Sequence, residues 1–229
     1  MNKIKIGKSD ETLPDWTTTK QNIPQWYKDI SAMNEKTIAF GNEDLPKLNV
    51  KSCIPFLDAL ISGYTINLWC DVHFEQNEDG SHYIRWGKGS PVPIGFRDQN
   101  ENLIPVPTGY TPYHYVWILP YSFSLPPGYS ALLLHPLNRL DLPFIGMSGI
   151  VDADPVMNGG NFPFFIKQNF TGTIPAGTPI IQVIPFKREN WKMENSKEVE
   201  KIAQKYCKES NRKFMGFYKQ NTWKRKKYE

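Results

Sequence analysis

Two aspartates, Asp152 and Asp154, stand one residue apart in the segment SGIVDADPVMNGGNFPF, directly after a short apolar run. A carboxylate at the end of a strand can act as a general base that activates water, provided that it reaches the water and has a suitable pKa. The same pair can instead accept hydrogen bonds from the main-chain amides of a turn. The residues leave both interpretations open, so Asp152 is a candidate catalytic residue only if the chain is an enzyme.

A second group of polar residues, Asp71, His73 and Glu75, alternates along the predicted strand YTINLWCDVHFE. Carboxylate and imidazole ligands at two-residue spacing can bind a metal ion if a distant strand supplies a further histidine, such as His114 or His135. The outward face of a half-buried strand produces the same alternation. We therefore predict no metal site, and these three residues are the candidates if one exists.

The end of the chain combines basic residues with aromatic ones. Lys and Arg are dense from Lys187 onward, and the chain finishes WKRKKYE. Such a segment can bind single-stranded nucleic acid by phosphate contacts and base stacking. We prefer a tail strapped over the fold or over a neighbouring subunit, because exposed aromatic side chains would otherwise lie on solvent. The aromatic residues concerned are Phe214, Phe217, Tyr218, Trp223 and Tyr228.

The composition is that of a globular protein in a reducing compartment. Of the 229 residues, 40% are hydrophobic, and the net charge is +4. Three cysteines without close spacing argue against a disulfide framework or a structural zinc site. The sequence has no apolar run of the kind found in signal peptides or membrane spans. We expect a cytoplasmic protein that does not contact a membrane.

The elements that must position these residues are mainly strands. The 19 prolines and 16 glycines punctuate apolar runs at short intervals, which is typical of a β-sandwich, jelly roll or barrel. We predict an all-β core, with most of residues 64–188 in short strands.

Two segments are predicted to be helices. The first is SCIPFLDALISG, with Ser52 as its N-cap and Gly63 after its end. The second covers about 196–209, with Asn195 and Glu198 at the spacing of a capping box. Its apolar stripe is predicted to pack on the β-domain. The predicted organisation is an N-terminal arm (1–46), a β-domain (47–192) and a C-terminal helix with a basic tail (193–229).

Residues 125–188 resemble the dUTPase and dCTP-deaminase superfamily. PPGYSALLLHPLNRL resembles the strand that ends in its Arg-Ser-Gly motif, GIVDAD its Gly-Val-Ile-Asp-x-Asp motif, and IPAGTPIIQVI its Ile-x-x-Gly-Asp-x-Ile-x-Gln strand. The three segments occur in the order of that family. The resemblance implies a dUTPase-like distorted barrel or jelly roll and a homo-oligomer, such as a trimer, with sites between subunits.

The same resemblance implies a set of site residues. Asp152 matches the family acid that activates the attacking water. LNR (137–139) stands where the phosphate-binding Arg-Ser-Gly would be, and Pro155 replaces the aromatic residue that stacks on the pyrimidine. Arg139 could still bind a phosphate through its forked guanidinium. On this basis five residues are predicted to line a ligand pocket on one rim of the fold: Asn138, Arg139, Asp152, Asp154 and Gln182.

The segments PQWYKD, NFPF and GTPIIQVIPFKRE together resemble a family of uncharacterised tailed-phage proteins. This implies the cytoplasm of an infected bacterium as the setting. Because the fold motifs are kept and the catalytic ones are changed, we predict a protein that binds a nucleotide or nucleotide-derived signal and so blunts host defence. The alternatives are a nucleotide pyrophosphatase or deaminase that uses Asp152, and a structural virion protein. No cofactor is expected, except Mg²⁺ if the chain is a nucleotide hydrolase.

Overall fold

The computed structural model describes residues 2–33, 38–40, 43–45, 48–97, 104–210 and 216–229. These residues form two compact units. The first unit consists of residues 1–188 together with Tyr228, and the second consists of residues 189–227 and 229.

The first unit is built mainly from β-strands, which confirms the prediction of a β-rich fold. The strands are β1 (Lys5–Lys8), β2 (Thr17–Thr18), β3 (Ile38–Phe40), β4 (Glu43–Leu45), β5 (Tyr64–Asn67), β6 (Val72–Gln76), β7 (His82–Trp86), β8 (Ile94–Phe96), β9 (Tyr110–Ile118), β10 (Tyr121–Ser124), β11 (Tyr129–Leu134), β12 (Phe144–Gly146), β13 (Gly149–Asp152), β14 (Met157–Asn158), β15 (Asn161–Lys167), β16 (Gly172–Ile174) and β17 (Pro179–Lys187). Two short helices, α1 (Gln25–Asp29) and α2 (Ile54–Ile61), belong to the same unit.

Fifteen of these strands form four antiparallel sheets, and β3 pairs with β4 in a separate hairpin. The strand orders are β1-β10-β14, β13-β11-β17-β5-β2, β12-β15-β9-β8 and β16-β6-β7. The segment predicted as an N-terminal arm thus contributes one strand to each of the first two sheets. Residues 1, 34–37, 41–42 and 46 of that segment lie outside the described residues.

The core lies between the sheets and is rich in aromatic side chains. In β6, Val72 and Phe74 are fully buried, whereas His73 and Glu75 lie on the other face. This alternation follows from the period of two in a strand, and β6 forms a hairpin with β7. In the β15–β9 pair the rings of Phe164 and Trp117 stack with centroids 4.1 Å apart. Aromatic residues dominate the energetics of such cores because each buries a large apolar area.

The residues after helix α2 closely contact β17 of the five-stranded sheet. Gly63 follows it with a φ of +77°, and a Cβ at this position would lie 2.2 Å from the main-chain oxygen of Val183. Only glycine fits both the left-handed backbone and the short distance. The predicted cap at the other end is wrong, since Cys53 is the N-cap and the Ser52 hydroxyl donates to the carbonyl of Ala32 over 2.5 Å.

The second unit contains α3 (Lys197–Ser210) and α4 (Phe217–Asn221). The Ser196 hydroxyl accepts a hydrogen bond from the Val199 N–H over 3.4 Å, so Ser196, not Asn195, caps α3. No residue of α3 is buried, and Val199 is 63% exposed. The packing of its apolar stripe on the β-domain stays a prediction. None of the helices in the described ranges has the length and apolar character that a membrane crossing requires.

Candidate functional site

Asp152 ends β13, and its side chain is hydrogen-bonded to a residue of the neighbouring strand β11 and to Arg188. Antiparallel pairing places it opposite Ser130 of β11. The buried Ser130 hydroxyl donates to Asp152 Oδ1 over 2.5 Å, and Arg188 Nη1 donates to the same oxygen over 3.1 Å. The Asp152 side chain is nevertheless 72% exposed. It is therefore accessible to solvent, but one of its oxygens has two donors.

Asp154 is more tightly held than Asp152. Its Oδ2 accepts a hydrogen bond from the Gly128 N–H over 2.7 Å, and both carboxylate oxygens receive guanidinium N–H groups of Arg188. The main-chain N–H of Arg188 in turn donates to the Gly128 carbonyl over 2.8 Å. Asp154 and Arg188 thus fasten the turn before β11 to the end of β17. For Asp154, this arrangement matches the turn-binding interpretation.

The cluster keeps both acids ionised. The hydrogen bonds from Arg188 and Gly128 lower the pKa of Asp154 to about 2. The hydrogen bonds from Ser130 and Arg188 lower the pKa of Asp152 below 3.8. The two carboxylates in turn raise the pKa of Arg188. A carboxylate with a lowered pKa is a weak base near neutral pH, which disfavours a general-base role for Asp152.

Arg139, the predicted phosphate ligand, is already paired. Its guanidinium makes a forked ion pair with Asp141, with N–O distances of 2.9 and 2.8 Å, and also donates to the carbonyl of Asn22 over 3.2 Å. The Trp26 indole N–H donates to the same carboxylate over 3.2 Å. The Arg139 side chain is only 13% exposed. A phosphate would have to displace Asp141 to reach this guanidinium.

Gln182 is fully buried in β17, and its amide is occupied on both sides. Its Oε1 accepts from the Leu137 N–H over 2.8 Å, while its Nε2 donates to the carbonyls of Ala59 and Ser62 over 3.0 and 2.6 Å. Gln182 therefore joins the end of α2 to the turn after β11. Asn138 lies in that turn with a left-handed φ of +60°.

The space between Gln182 and Arg139 is small. Both line a cavity of about 10 Å³, which is close to the minimum for one water molecule. No nucleotide fits there without movement of the side chains described above. Sequence reasoning missed Asp141 as the partner of Arg139, although the spacing in NRLD brings the two charges close.

The five predicted site residues do not share one rim. Ser130, opposite Asp152, is the second residue of β11, whereas Leu134, opposite Gln182, ends it. Four residues at roughly 3.3 Å each put about 13 Å between the two groups. The prediction of one rim is wrong because β11 and β13 are antiparallel neighbours. Their carboxyl ends therefore point in opposite directions along the paired strands.

Each of the metal candidates on β6 and in the loop before it has a protein partner. Asp71 accepts from the Ala176 N–H over 2.8 Å, His73 Nδ1 lies 3.1 Å from Thr173 Oγ1, and Glu75 forms an ion pair with Arg85 at 3.2 Å. Across the described ranges, no three His, Cys, Asp or Glu residues lie close enough to hold a metal ion together.

The additional histidines lie elsewhere and have their own contacts. His135 is bound between the Gly146 N–H, which donates to Nδ1 over 3.3 Å, and the Arg139 carbonyl, 3.2 Å from Nε2. The His114 ring packs on Phe165, with centroids 5.9 Å apart.

A larger cavity, here called the β13 cavity, lies beside β13 and has a volume of about 140 Å³. Most of its wall is apolar, with polar groups and glycines at one side where Ser148, Gly160 and Asn161 are exposed. Solvent therefore reaches the cavity from that side. The wall includes Leu133, Ser148, Gly149, Val151, Asn161 and Phe162.

Gly149 keeps this cavity open. It pairs with Leu133, and both line the cavity together with Val151, which is two residues further along β13. A Cβ on Gly149 would meet nothing within 4 Å, and its φ is not positive, so other residues could occupy the position without backbone strain. Asp152, the next residue after Val151, points to the opposite face of β13. Its carboxylate is therefore directed away from the cavity.

Sequence reasoning missed both the cavity and Arg188. The cavity depends on a side chain that is absent at Gly149, and a single glycine in a strand has several explanations. Arg188 stands in the segment PFKRE, where a basic residue after a strand gave no sign of its partners 34 and 36 residues earlier.

Comparison of the chain with models of known protein families finds no match, and comparison with curated proteins finds none either.

Proposed function

We propose that this chain is a phage-type binding protein that holds a nucleotide or nucleotide-derived signal, with the base of the ligand in the β13 cavity. The observation that carries the proposal is the position of this cavity, which opens beside the GIVDAD segment that resembles a dUTPase motif. In the infected bacterium, binding without conversion would withdraw such a signal from host defence.

The size and the wall of the cavity support a single flat ring as the bound group. An apolar cavity of about 150 Å³ in another protein binds benzene, and the volume here is about 140 Å³. Ligand sites are mostly apolar with a few polar groups that fix orientation. Ser148 and Asn161 supply such groups at the open side. A pyrimidine ring, with polar edges and an apolar face, fits this distribution.

Binding is favoured over catalysis by the placement of Asp152. Its carboxylate lies on the face of β13 opposite the cavity, and its pKa is lowered by Ser130 and Arg188. The variant Asp152→Asn should therefore leave ligand affinity unchanged and produce no loss of turnover. If the chain were a hydrolase that uses this residue, the same variant would abolish product formation.

The test is a panel of nucleobases, nucleosides and nucleotides, incubated with the full chain and followed by thermal melting. A ligand at 100 times its Kd stabilises by about 2.7 kcal/mol, which raises the Tm of a protein of this size by about 5–11 °C. After heat release, chromatography should recover the ligand unchanged. An altered ligand would indicate an enzyme, and the absence of any shift would favour the structural virion protein.

The matched variants are Gly149→Leu and Gly87→Leu. Both replace a glycine without positive φ at a site where a Cβ meets nothing closer than 3.9 Å. Gly149→Leu fills the β13 cavity and should remove the ligand-induced rise in Tm, whereas Gly87→Leu should retain it. If both variants keep the full shift, the ligand binds outside the cavity and the proposal fails.

A homo-oligomer, with a trimer as the form that the resemblance implies, is part of the proposal. Ile150 on β13 is 67% exposed and Phe186 on β17 is 36% exposed. Both belong to the sheet face that also carries Asp152, because Ser130 pairs with Asp152 and with Phe186. Light scattering should give a multiple of the 26.5 kDa chain mass. A mass of one chain at micromolar concentration would exclude it.

A further inference from the structure

The charge of the chain is divided unevenly between its two units. Residues 1–188 carry fifteen Lys and Arg against seventeen Asp and Glu, whereas residues 189–229 carry twelve against six. Helix α3 adds little to this excess, since it holds four lysines and three glutamates. The positive charge is concentrated after it. An anionic partner would therefore be attracted to the end of the chain rather than to the β-rich unit.

Within the second unit, residues 216–227 contain five Lys and Arg and no acid. All five basic residues are exposed, namely Lys219, Lys224, Arg225, Lys226 and Lys227. We refer to residues 216–227 as the basic segment. The segment itself contains no carboxylate.

An exposed aromatic ring lies next to these charges. Tyr218 in α4 is 41% exposed. Phe217, by contrast, is half-buried and packs edge-on against Tyr206 of α3, with ring centroids 5.8 Å apart. Phe217 therefore anchors α4 within the second unit and leaves Tyr218 directed toward solvent.

The chain after α4 turns back on the helix. The Trp223 N–H donates to the carbonyl of Tyr218 over 2.9 Å, and the Thr222 N–H donates to the same oxygen over 3.0 Å. These bonds hold the start of the run KRKK within one helical turn of Tyr218. The main chain that leads into KRKK therefore starts beside the helix that carries the Tyr218 ring.

We propose that the basic segment binds single-stranded nucleic acid, with a base stacked on Tyr218 and phosphates bound by the surrounding Lys and Arg side chains. Sequence-tolerant binders of single strands combine these two elements, a positive surface and exposed aromatic rings. A duplex would offer its phosphates but no free base for the ring.

An anionic membrane is the less suitable partner. Helices that lie on membranes insert a continuous apolar face beside their basic residues. In the basic segment Phe217 and Trp223 are half-buried, and α4 is only five residues long. One exposed tyrosine ring is enough to stack with a base, but it is too small to anchor the segment in lipid.

The proposal is tested by fluorescence anisotropy with labelled 20-nucleotide poly-dT and poly-rU, and a DNA duplex of equal length, between 50 and 200 mM salt. The full chain should bind the single strands, with a log–log salt slope of about −0.7 for each phosphate contact. The triple variant K224A/R225A/K227A should make the slope shallower by about 2. The charge-matched control K3A/K20A/K28A, which removes exposed lysines of the first unit, should leave it unchanged.

The role of the ring is tested separately. Tyr218→Ala should weaken single-strand binding by about 5- to 150-fold, the range for loss of one stacked base. Tyr218→Phe keeps the ring and should restore the affinity, and Tyr83→Ala, which removes a 58% exposed tyrosine of the first unit, should not alter it. No residue of α4 is buried, and the other substituted residues are exposed, so all variants should melt at the parent temperature.

Three results would overturn the proposal. The first is no single-strand binding at 50 mM salt. The second is binding that survives equally in K224A/R225A/K227A and in its control. The third is binding to phosphatidylserine vesicles with none to oligonucleotides, which would assign the basic segment to a membrane surface.

Discussion

Replacement of Gln182 by Leu separates a structural role for this residue from a role in ligand binding. Leucine has a similar volume and fits a strand, but it can neither accept nor donate a hydrogen bond. The change leaves three main-chain groups without their partner: the N–H of Leu137 and the carbonyls of Ala59 and Ser62.

The expected loss follows from these three bonds. Each hydrogen bond contributes about 1 kcal/mol net, which gives a total of about 3 kcal/mol for the free energy of unfolding. The three partner residues are half-buried, so water can replace part of what the amide supplied, and the upper value of 3 kcal/mol for each unsatisfied group does not apply. For a protein of this size, the loss corresponds to a fall in Tm of about 6–12 °C.

The assay is urea unfolding followed by tryptophan fluorescence, with thermal melting as a second measurement. The matched control is Gln168→Leu, because Gln168 is exposed after β15, and it should change the unfolding free energy by less than about 0.5 kcal/mol. A Gln182→Leu variant as stable as this control would refute the structural role. A variant that loses ligand binding at unchanged stability would instead indicate that Gln182 contacts the ligand.

Two further predictions concern pH and backbone geometry. Burial lowers the pKa of His82 and of His135 below the ordinary value of 6.5. As the pH falls through 6.5, the unfolded chain therefore binds more protons than the folded chain, which destabilises the fold. The urea midpoint should therefore be lower at pH 5.5 than at pH 7.5, and equal midpoints would contradict this cause. Gly63→Ala should destabilise more than Gly80→Ala, because both have a left-handed φ, at +77° and +82°, but only the first places a Cβ against main-chain atoms. The strain alone costs about 1–2 kcal/mol, and equal unfolding free energies for the two variants would exclude a contribution from the contact.

Local patterns in the sequence predicted local structure well. The alternation of Val72 and Phe74 with His73 and Glu75 predicted both faces of β6, because the period of a strand does not depend on its partners.

The order of strands in a sheet was not predictable from such patterns. β1 pairs with β10, more than 110 residues away, and the pairing is decided by packing across the core. The separation of Asp152 from Arg139 follows from the same long-range arrangement. It depends on β11 and β13 being antiparallel neighbours, which no local sequence pattern indicates.

The roles of individual polar residues were equally hidden. Gln182 is a polar residue in an apolar strand, a pattern that suits a ligand contact and a buried hydrogen-bonding group alike. The structure distinguishes them through partners on α2 and in the turn after β11. The β13 cavity was beyond prediction because it is formed by the absence of a side chain at Gly149.

The binding of Arg188 has a consequence for proteolysis. A protease that cleaves after basic residues must take the arginine side chain into its own pocket and hold the neighbouring chain extended. The Arg188 guanidinium is bound by Asp154 and Asp152, and its N–H by Gly128. The bond after Arg188 is therefore protected in the native protein, whereas Lys192, four residues later, is exposed. Digestion there would cut the chain within the second unit and leave the last strand of the first unit fastened at its end.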